Sequence, residues 1–207
     1  MNYFVNHYKG KKVLVTGHTG FKGSWLSAWL HHLGAEVIGF SIDLPSNPNN
    51  FEISRLINIV EDYRIDVCDA FAVRKVINDT QPDFVFHLAA QALVRSSYEN
   101  PLTTLATNAI GTANVMDALR VLDKPVVAVM ITSDKVYDNA EWVWGYRETD
   151  SLGGKDPYSA SKGMAELAIR TYIESFFNSN DNNVPWNPSS GCCLHRSSNR
   201  RHPENIN

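Results

Sequence analysis

The chain has 207 residues, with 19 Lys+Arg against 22 Asp+Glu, a formal net charge of −3 and 43% hydrophobic residues. That balance is ordinary for a globular protein and excludes a disordered, collagenous or coiled-coil chain as the main reading. The mild acidity (pI ≈ 6.1) offers no general attraction to nucleic acid or to an anionic membrane. No run approaches the ~20 apolar residues that span a bilayer, and Met1 to Lys12 is polar and aromatic, unlike a secretory signal. The three cysteines are Cys68, Cys192 and Cys193. An odd number with an adjacent pair makes no disulfide framework, so a reducing cytoplasm is the expected compartment.

From Lys11 to about Ile173 short apolar runs alternate with longer amphipathic ones. Lys12 to Thr16 predicts a buried strand. Phe21 to Leu33 predicts a helix whose apolar positions are Trp25, Leu26, Trp29, Leu30 and Leu33, with Gly34 at its C-cap. Strands are expected at Val37 to Ser41, at Arg64 to Val67, at Phe84 to Leu88 and at Val126 to Ser133, and helices from Ala70 to Asn78, from Pro101 onward and from Pro157 to Phe177. Nearly continuous apolar strands between helices imply parallel strands buried on both faces. With right-handed crossovers, the expected fold class is α/β, a doubly wound parallel sheet of the Rossmann type.

The end of the chain differs. Pro185 to Asn207 holds three of the nine prolines, two of the three cysteines and a net charge of +2, and has neither helix nor strand periodicity. The expected division is therefore a dinucleotide-binding domain over 1–180 and a disordered or aberrant tail over 181–207. Cys192, Cys193 and His195 do not make a zinc set, because adjacent cysteines give poor ligand geometry. No metal is expected.

Gly17, Gly20 and Gly23 stand between the first strand and the first helix with the spacing G-x-x-G-x-x-G. Small residues there permit a tight turn and close approach of a pyrophosphate to the backbone, and the helix N-terminus offers unpaired N–H groups to the anion. In this strand–turn–helix context the motif predicts a dinucleotide site rather than a plain βα turn. Asp43, about 20 residues on, either accepts hydrogen bonds from the adenosine ribose, favouring NAD over NADP, or is an unliganded loop aspartate. Asp66 and Val67 are candidates for the adenine. His18, inside the glycine turn, reads as structural.

Tyr158 and Lys162 are placed at i and i+4 on one helix face. A tyrosine is a poor base near neutral pH, but a neighbouring ammonium and an oxidised nicotinamide lower its pKa. Tyr158 can then take the proton of a substrate alcohol while hydride leaves the same carbon. Such a pair is common on surface helices and gains meaning here from the glycine motif upstream.

The glycine motif, His87-Leu-Ala-Ala-Gln91, Asn108-Ala-Ile-Gly-Thr112 and the Tyr158/Lys162 pair resemble the extended short-chain dehydrogenase/reductase family. The longer segments Thr16 to Leu26, Thr132 to Asn139 and Tyr146 to Tyr158 resemble its CDP-glucose 4,6-dehydratase branch, over about Lys9 to Phe177. That resemblance implies an NAD-dependent hydro-lyase of deoxysugar and O-antigen (lipopolysaccharide) precursor synthesis, acting on CDP-glucose. It implies oxidation at sugar C4, loss of water across C5–C6 and return of hydride to C6. It places the coenzyme on Gly17, Gly20, Phe21, Gly23, Asp43, Asp66, Val67, Leu88, Ala89 and Ala90, and the sugar near Gln91. Ser133 then hydrogen-bonds the C4 oxygen beside Tyr158, and Asp134 is the acid for the C6 hydroxyl. Lys135 stands where related hexose dehydratases carry a glutamate base, and an ammonium must lose its charge to accept a proton. Asp134 and Lys135 read alternatively as an exposed ion pair. Trp142 and Trp144 lie in a loop that either covers the site or packs on itself. A homodimer through the Tyr158 helix fits the family. Because members run well past this length, the expectation is a chain truncated or frameshifted near residue 184, lacking its substrate region. A nucleotide-sugar epimerase and an inactive NAD-binding fragment are the alternatives.

Overall fold

The computed structural model describes residues 5–177 and 192–196. After a short helix α1 (Val5–Tyr8), the elements run β1 (Lys12–Thr16), α2 (Phe21–His32), β2 (Glu36–Ser41), α3 (Asn50–Ile53), β3 (Val60–Arg64), α4 (Ala70–Thr80) and β4 (Phe84–His87). Then come α5 (Val94–Glu99), α6 (Pro101–Leu105), a π-turn Ala106–Ile110, α7 (Gly111–Arg120), β5 (Val127–Ile131), α8 (Pro157–Tyr172) and β6 (Cys192–Arg196). The strand order is β3-β2-β1-β4-β5-β6. The first five strands are parallel, and β6 runs antiparallel to β5, with Ala128 opposite His195.

The sheet is buried on both faces because its apolar residues alternate between two layers. Val13, Val15 and Val37 pack with Leu30, Phe51 and Leu56 on one side. Leu14, Ile38, Phe40, Val85, Ala128 and Met130 pack with Val73, Ile77, Val115, Met116, Leu119 and Ile169 on the other. The first layer is closed by α2 and α3, the second by α4, α7 and α8. This is the doubly wound α/β fold that the strand–helix alternation predicts.

Three elements depart from the sequence expectation. The third strand is Val60–Arg64, earlier than Arg64 to Val67. It is the edge strand beside β2, where exposed Glu61 and Arg64 are tolerated and Asp62 turns in toward His18, so it lacks a buried strand's apolar run. Asp66 and Val67 consequently lie in the loop after the strand. The second departure is α2, which turns Gly23, Ser24, Ser27 and Leu30 inward and leaves Trp25 and Trp29 about half exposed. Helix and strand approach so closely that only small residues fit between them: a Cβ on Gly23 would stand 2.1 Å from the Gly17 carbonyl oxygen. The third is the long helix from Pro101, which is interrupted by the π-turn at Ala106–Ile110. Gly34 ends the helix as expected, in the left-handed position just after the C-cap residue Leu33, with φ +84°.

The expected tail over 181–207 lies mostly outside the described residues. Within it, Cys192–Arg196 differs from the expectation by pairing as a strand, because main-chain pairing along the β5 edge requires no side-chain periodicity. Among the described residues no helix is long and apolar enough to cross a membrane.

Candidate active site

The strand order reverses between β1 and β4, and in such sheets ligands lie at the carboxyl ends of the strands beside that point. The glycine turn occupies this place. Gly17 has φ +70°, a conformation that disfavours any Cβ, and a Cβ there would stand 2.8 Å from the Ala89 N atom. Its absence lets the β1 turn and the β4 turn touch. Gly20 is the N-cap of α2 and provides no side-chain cap. The first N–H groups of α2 are therefore available to an anion at the positive end of the helix. Thr19 ties this turn to the end of β2, its hydroxyl donating to the Asp43 carbonyl at 2.6 Å and lying 2.8 Å from the Ser41 hydroxyl. Asp43 itself is exposed.

His18 is fully buried beneath the turn. A Cβ on Gly39 of β2 would meet its ring at 2.2 Å, so Gly39 is the gap through which the ring reaches β3. There Nε2 lies 2.9 Å from Asp62 Oδ1, and the ring meets Phe51 edge-on at 5.1 Å. Burial holds the imidazole below its ordinary pKa, against the opposing pull of the Asp62 carboxylate. His18 is structural.

At the positions expected to meet the adenine, Asp66 Oδ1 accepts the Cys68 N–H at 2.8 Å, while Val67 is buried against Gly111, where a Cβ would come within 2.6 Å of it. Across the switch point, Thr16 Oγ1 accepts the Leu88 and Ala89 N–H groups at 3.1 and 2.9 Å. Gln91 is committed locally, donating to Thr104 Oγ1 at 2.9 Å and accepting the Leu93 N–H at 2.6 Å.

Asp156 caps α8, accepting the Ser159 N–H at 3.0 Å, and Pro157 follows at the first helical position. Burial acts to raise the Asp156 carboxyl, but the Ser159 hydrogen bonds outweigh it and leave the pKa below the ordinary value. Tyr158 and Lys162 are one turn apart on α8. Tyr158 is half-buried and Lys162 buried, and burial pushes the ammonium down to about 8, partly offset by the Glu166 carboxylate. Ser133, at the end of β5, caps a short 3-10 turn, its hydroxyl accepting the Lys135 N–H at 3.2 Å and donating to Asp134 Oδ1 at 3.1 Å. Asp134 and Lys135 are both exposed and form no ion pair with one another. The described residues do not supply the burial that an acid and a neutral amine would need. Lys135 instead lies near enough to Asp156 to help hold its charge. In the loop above, Tyr137 stacks on Tyr146 at 5.1 Å and Trp142 tilts against Tyr146 at 5.8 Å, leaving Trp144 exposed.

A buried chain of hydrogen bonds joins these parts, and sequence reasoning missed it. Thr112 donates to the Asn108 carbonyl at 2.7 Å, so its oxygen accepts from His87 Nε2 at 3.0 Å, and His87 Nδ1 accepts from the Thr16 hydroxyl at 2.8 Å. This sequence of donors assigns the neutral tautomer. Full burial, with the Lys162 charge nearby, pushes His87 down to about 3. Asn108, in the π-turn, donates to Gln91 O at 3.0 Å and to Ser161 Oγ at 2.8 Å, and Ser161 donates to Tyr158 O at 2.6 Å. The chain thus runs from the end of β1 to the helix that carries Tyr158. Its sequence signal lay only in the His87 and Asn108 motifs.

The chain matches the model of the GDP-mannose 4,6 dehydratase family over residues 14–203. It is 51% identical over 173 residues to the CDP-glucose 4,6-dehydratase of Salmonella typhimurium, covering 84% of this chain and 48% of that protein. It is 32% identical to the UDP-glucose 4-epimerase of Mycoplasma genitalium, covering 79% and 48%. Among solved structures, the NAD complex of Thermus thermophilus UDP-glucose 4-epimerase superposes with a TM-score of 0.67 at 29% identity, over 80% of this chain and 51% of that one. The chain spans about half the length of these relatives. With its glycine turn at the switch point and the Tyr158/Lys162 helix beside it, the chain belongs to the GDP-mannose 4,6 dehydratase family of extended short-chain dehydrogenase/reductases.

Proposed function

We propose that this chain carries the coenzyme site and the proton-transfer helix of an NAD-dependent CDP-glucose 4,6-dehydratase, forming CDP-4-dehydro-6-deoxy-D-glucose. The observation that supports this reading most is the alignment of two features on one rim. The glycine turn leaves uncapped N–H groups and packs so tightly that a Cβ at Gly17 or Gly23 would strike neighbouring backbone, and α8 presents Tyr158 and Lys162 at the same carboxyl edge. The 51% identity to the Salmonella dehydratase supports the choice of reaction and of nucleotide.

The residues fit NAD. Gly17, Gly20, Phe21 and Gly23 would hold the pyrophosphate, Asp43 the ribose, Asp66 and Val67 the adenine end, and Leu88, Ala89 and Ala90 the nicotinamide side. Bound there, NAD would supply the acceptor for the C4 hydride and the donor for its return at C6. Tyr158, as phenolate beside the Lys162 ammonium, removes the C4 hydroxyl proton. Ser133 donates to the forming C4 carbonyl oxygen, which makes the C5 hydrogen acidic. Lys135, in its neutral form, takes the C5 proton, and Asp134 gives a proton to the C6 hydroxyl, which leaves as water. The exposed positions of Asp134 and Lys135 require the bound sugar to bury them.

That exposure also favours a second reading, a nucleotide-sugar epimerase, which needs Tyr158 and Lys162 but no acid and base after β5. An NAD-binding module without turnover is the third. Localisation in the cytoplasm, a homodimer and a domain boundary near residue 180 belong to the same proposal. Incubation of the purified protein with CDP-glucose and NAD⁺ separates the readings. A 4-keto-6-deoxy product supports the dehydratase, a C4 epimer supports the second, and bound coenzyme without product supports the third.

A further inference from the structure

Glu166 is an ionisable side chain that the reaction above does not use. It lies one turn beyond Lys162 on α8 and is buried, with 7% of its surface exposed. Its Oε1 accepts a hydrogen bond from the hydroxyl of Thr132. Thr132 directly precedes Ser133, so this contact joins α8 to the strand end that would hold the sugar oxygen. Tyr158, Lys162 and Glu166 recur at four-residue intervals and share one helix face.

We propose that Glu166 is a positioning residue, the buried counter-ion that keeps Lys162 charged and locks the Tyr158/Lys162 face of α8 to the end of β5. A buried carboxylate is costly to desolvate unless it is hydrogen-bonded or lies near a cation; Thr132 provides the hydrogen bond, and Lys162, one turn back on the same buried face, provides the charge without a direct ion pair. The groups around Lys162 are Tyr158 and Glu166 on its own helix and His87 on β4. His87 is held neutral by its hydrogen-bond chain, so Glu166 is the negative charge that opposes the desolvation of the ammonium. Burial raises the Glu166 carboxyl, while the Thr132 hydrogen bond and the Lys162 charge pull it back, so each member of the pair favours the charged form of the other. The consequence for function rests on the reading above. A neutral lysine cannot stabilise a phenolate, so Glu166 would extend the pH range over which Tyr158 acts as a base.

The test is a titration of the coenzyme-free protein carrying carbon-13 at the lysine ε-carbon, with the Lys162 signal assigned by its loss in Lys162→Met. The native signal is expected to titrate near 8. In Glu166→Gln, which keeps the shape and an acceptor for Thr132, it should fall by about one unit. An unchanged titration overturns the proposal. The reciprocal experiment guards against a variant that does not fold. In Lys162→Met, a carbon-13 carboxyl signal of Glu166 should titrate about one unit higher, and no change there overturns the proposal equally. A ultraviolet phenolate titration with NAD⁺, using Tyr158→Phe as the blank, should place Tyr158 higher in Glu166→Gln than in the native protein. If NAD⁺ fails to bind the native protein, the functional reading falls, and the lysine titration still decides the counter-ion.

Discussion

His87 should make this fold acid-labile, and the size of the effect follows from its surroundings. The ring is 2% exposed and clamped between Thr16 and Thr112 in the neutral form. In the unfolded chain it titrates near 6.5, and in the fold near 3. A depressed folded pKa means that the unfolded state binds the proton first. The stability is therefore complete above about pH 6.5 and is lost progressively as pH falls toward 3. At about 1.36 kcal/mol per unit, the full window is worth roughly 5 kcal/mol, a large part of the ~5–15 kcal/mol that holds a typical domain. Most carboxylates titrate lower, so the interval between about pH 6.5 and 4.5 isolates the imidazoles, with His87 contributing roughly 2.7 kcal/mol there. The assay is urea unfolding followed by tryptophan fluorescence at a series of pH values, for the native protein and His87→Gln. Glutamine can still donate to Thr112 and accept from Thr16 but cannot take up the proton. Its curve of stability against pH should be shallower by about 1.4 kcal/mol per unit in that interval, and the remaining slope belongs chiefly to His18. Parallel curves for the two proteins would refute the argument that burial and donor order keep His87 neutral.

Other substitutions probe the remaining parts. Tyr158→Phe should lower turnover by about 10²–10⁴-fold while coenzyme still binds, as read by kinetics and calorimetry on the same preparation. Gly17→Ala forces a side chain into a left-handed backbone and toward Ala89, costing about 1–2 kcal/mol from the backbone alone, measurable by denaturant unfolding. Gly39→Ala should displace the His18 ring and loosen the glycine turn, lowering stability and coenzyme affinity together; a loss confined to stability would mean that His18 does not support the turn.

Most of the sheet was legible because β1, β2, β4 and β5 are buried on both faces and so read as apolar runs. β3 was misplaced for the opposite reason: at the edge of the sheet, Glu61 and Arg64 reach solvent while Asp62 turns in toward His18, and the apolar signal fails. The inward face of α2 was misread because hydrophobicity marked Trp25 and Trp29, whereas the approach of the helix to the glycine turn selects Gly23, Ser24 and Ser27. At the site, the glycine turn and the Tyr158/Lys162 pair are local patterns, and spacing alone reveals them. The network from Thr16 through His87, Thr112 and Asn108 to Ser161 joins residues up to 71 positions apart in a single bond, which no window on the sequence can bring together. Glu166 gave one faint signal, a carboxylate four residues beyond the lysine on a face that should be apolar. Asp134 and Lys135 were found by resemblance, and their roles depend on a substrate that would change their exposure.

Calorimetric titration of the purified protein with NAD⁺ tests the central claim most directly. The account predicts a saturable heat that persists in Tyr158→Phe and vanishes in Gly23→Ala, whose added Cβ would strike the Gly17 carbonyl oxygen at 2.1 Å. No saturable heat with the native protein, or the same heat with Gly23→Ala, would contradict it.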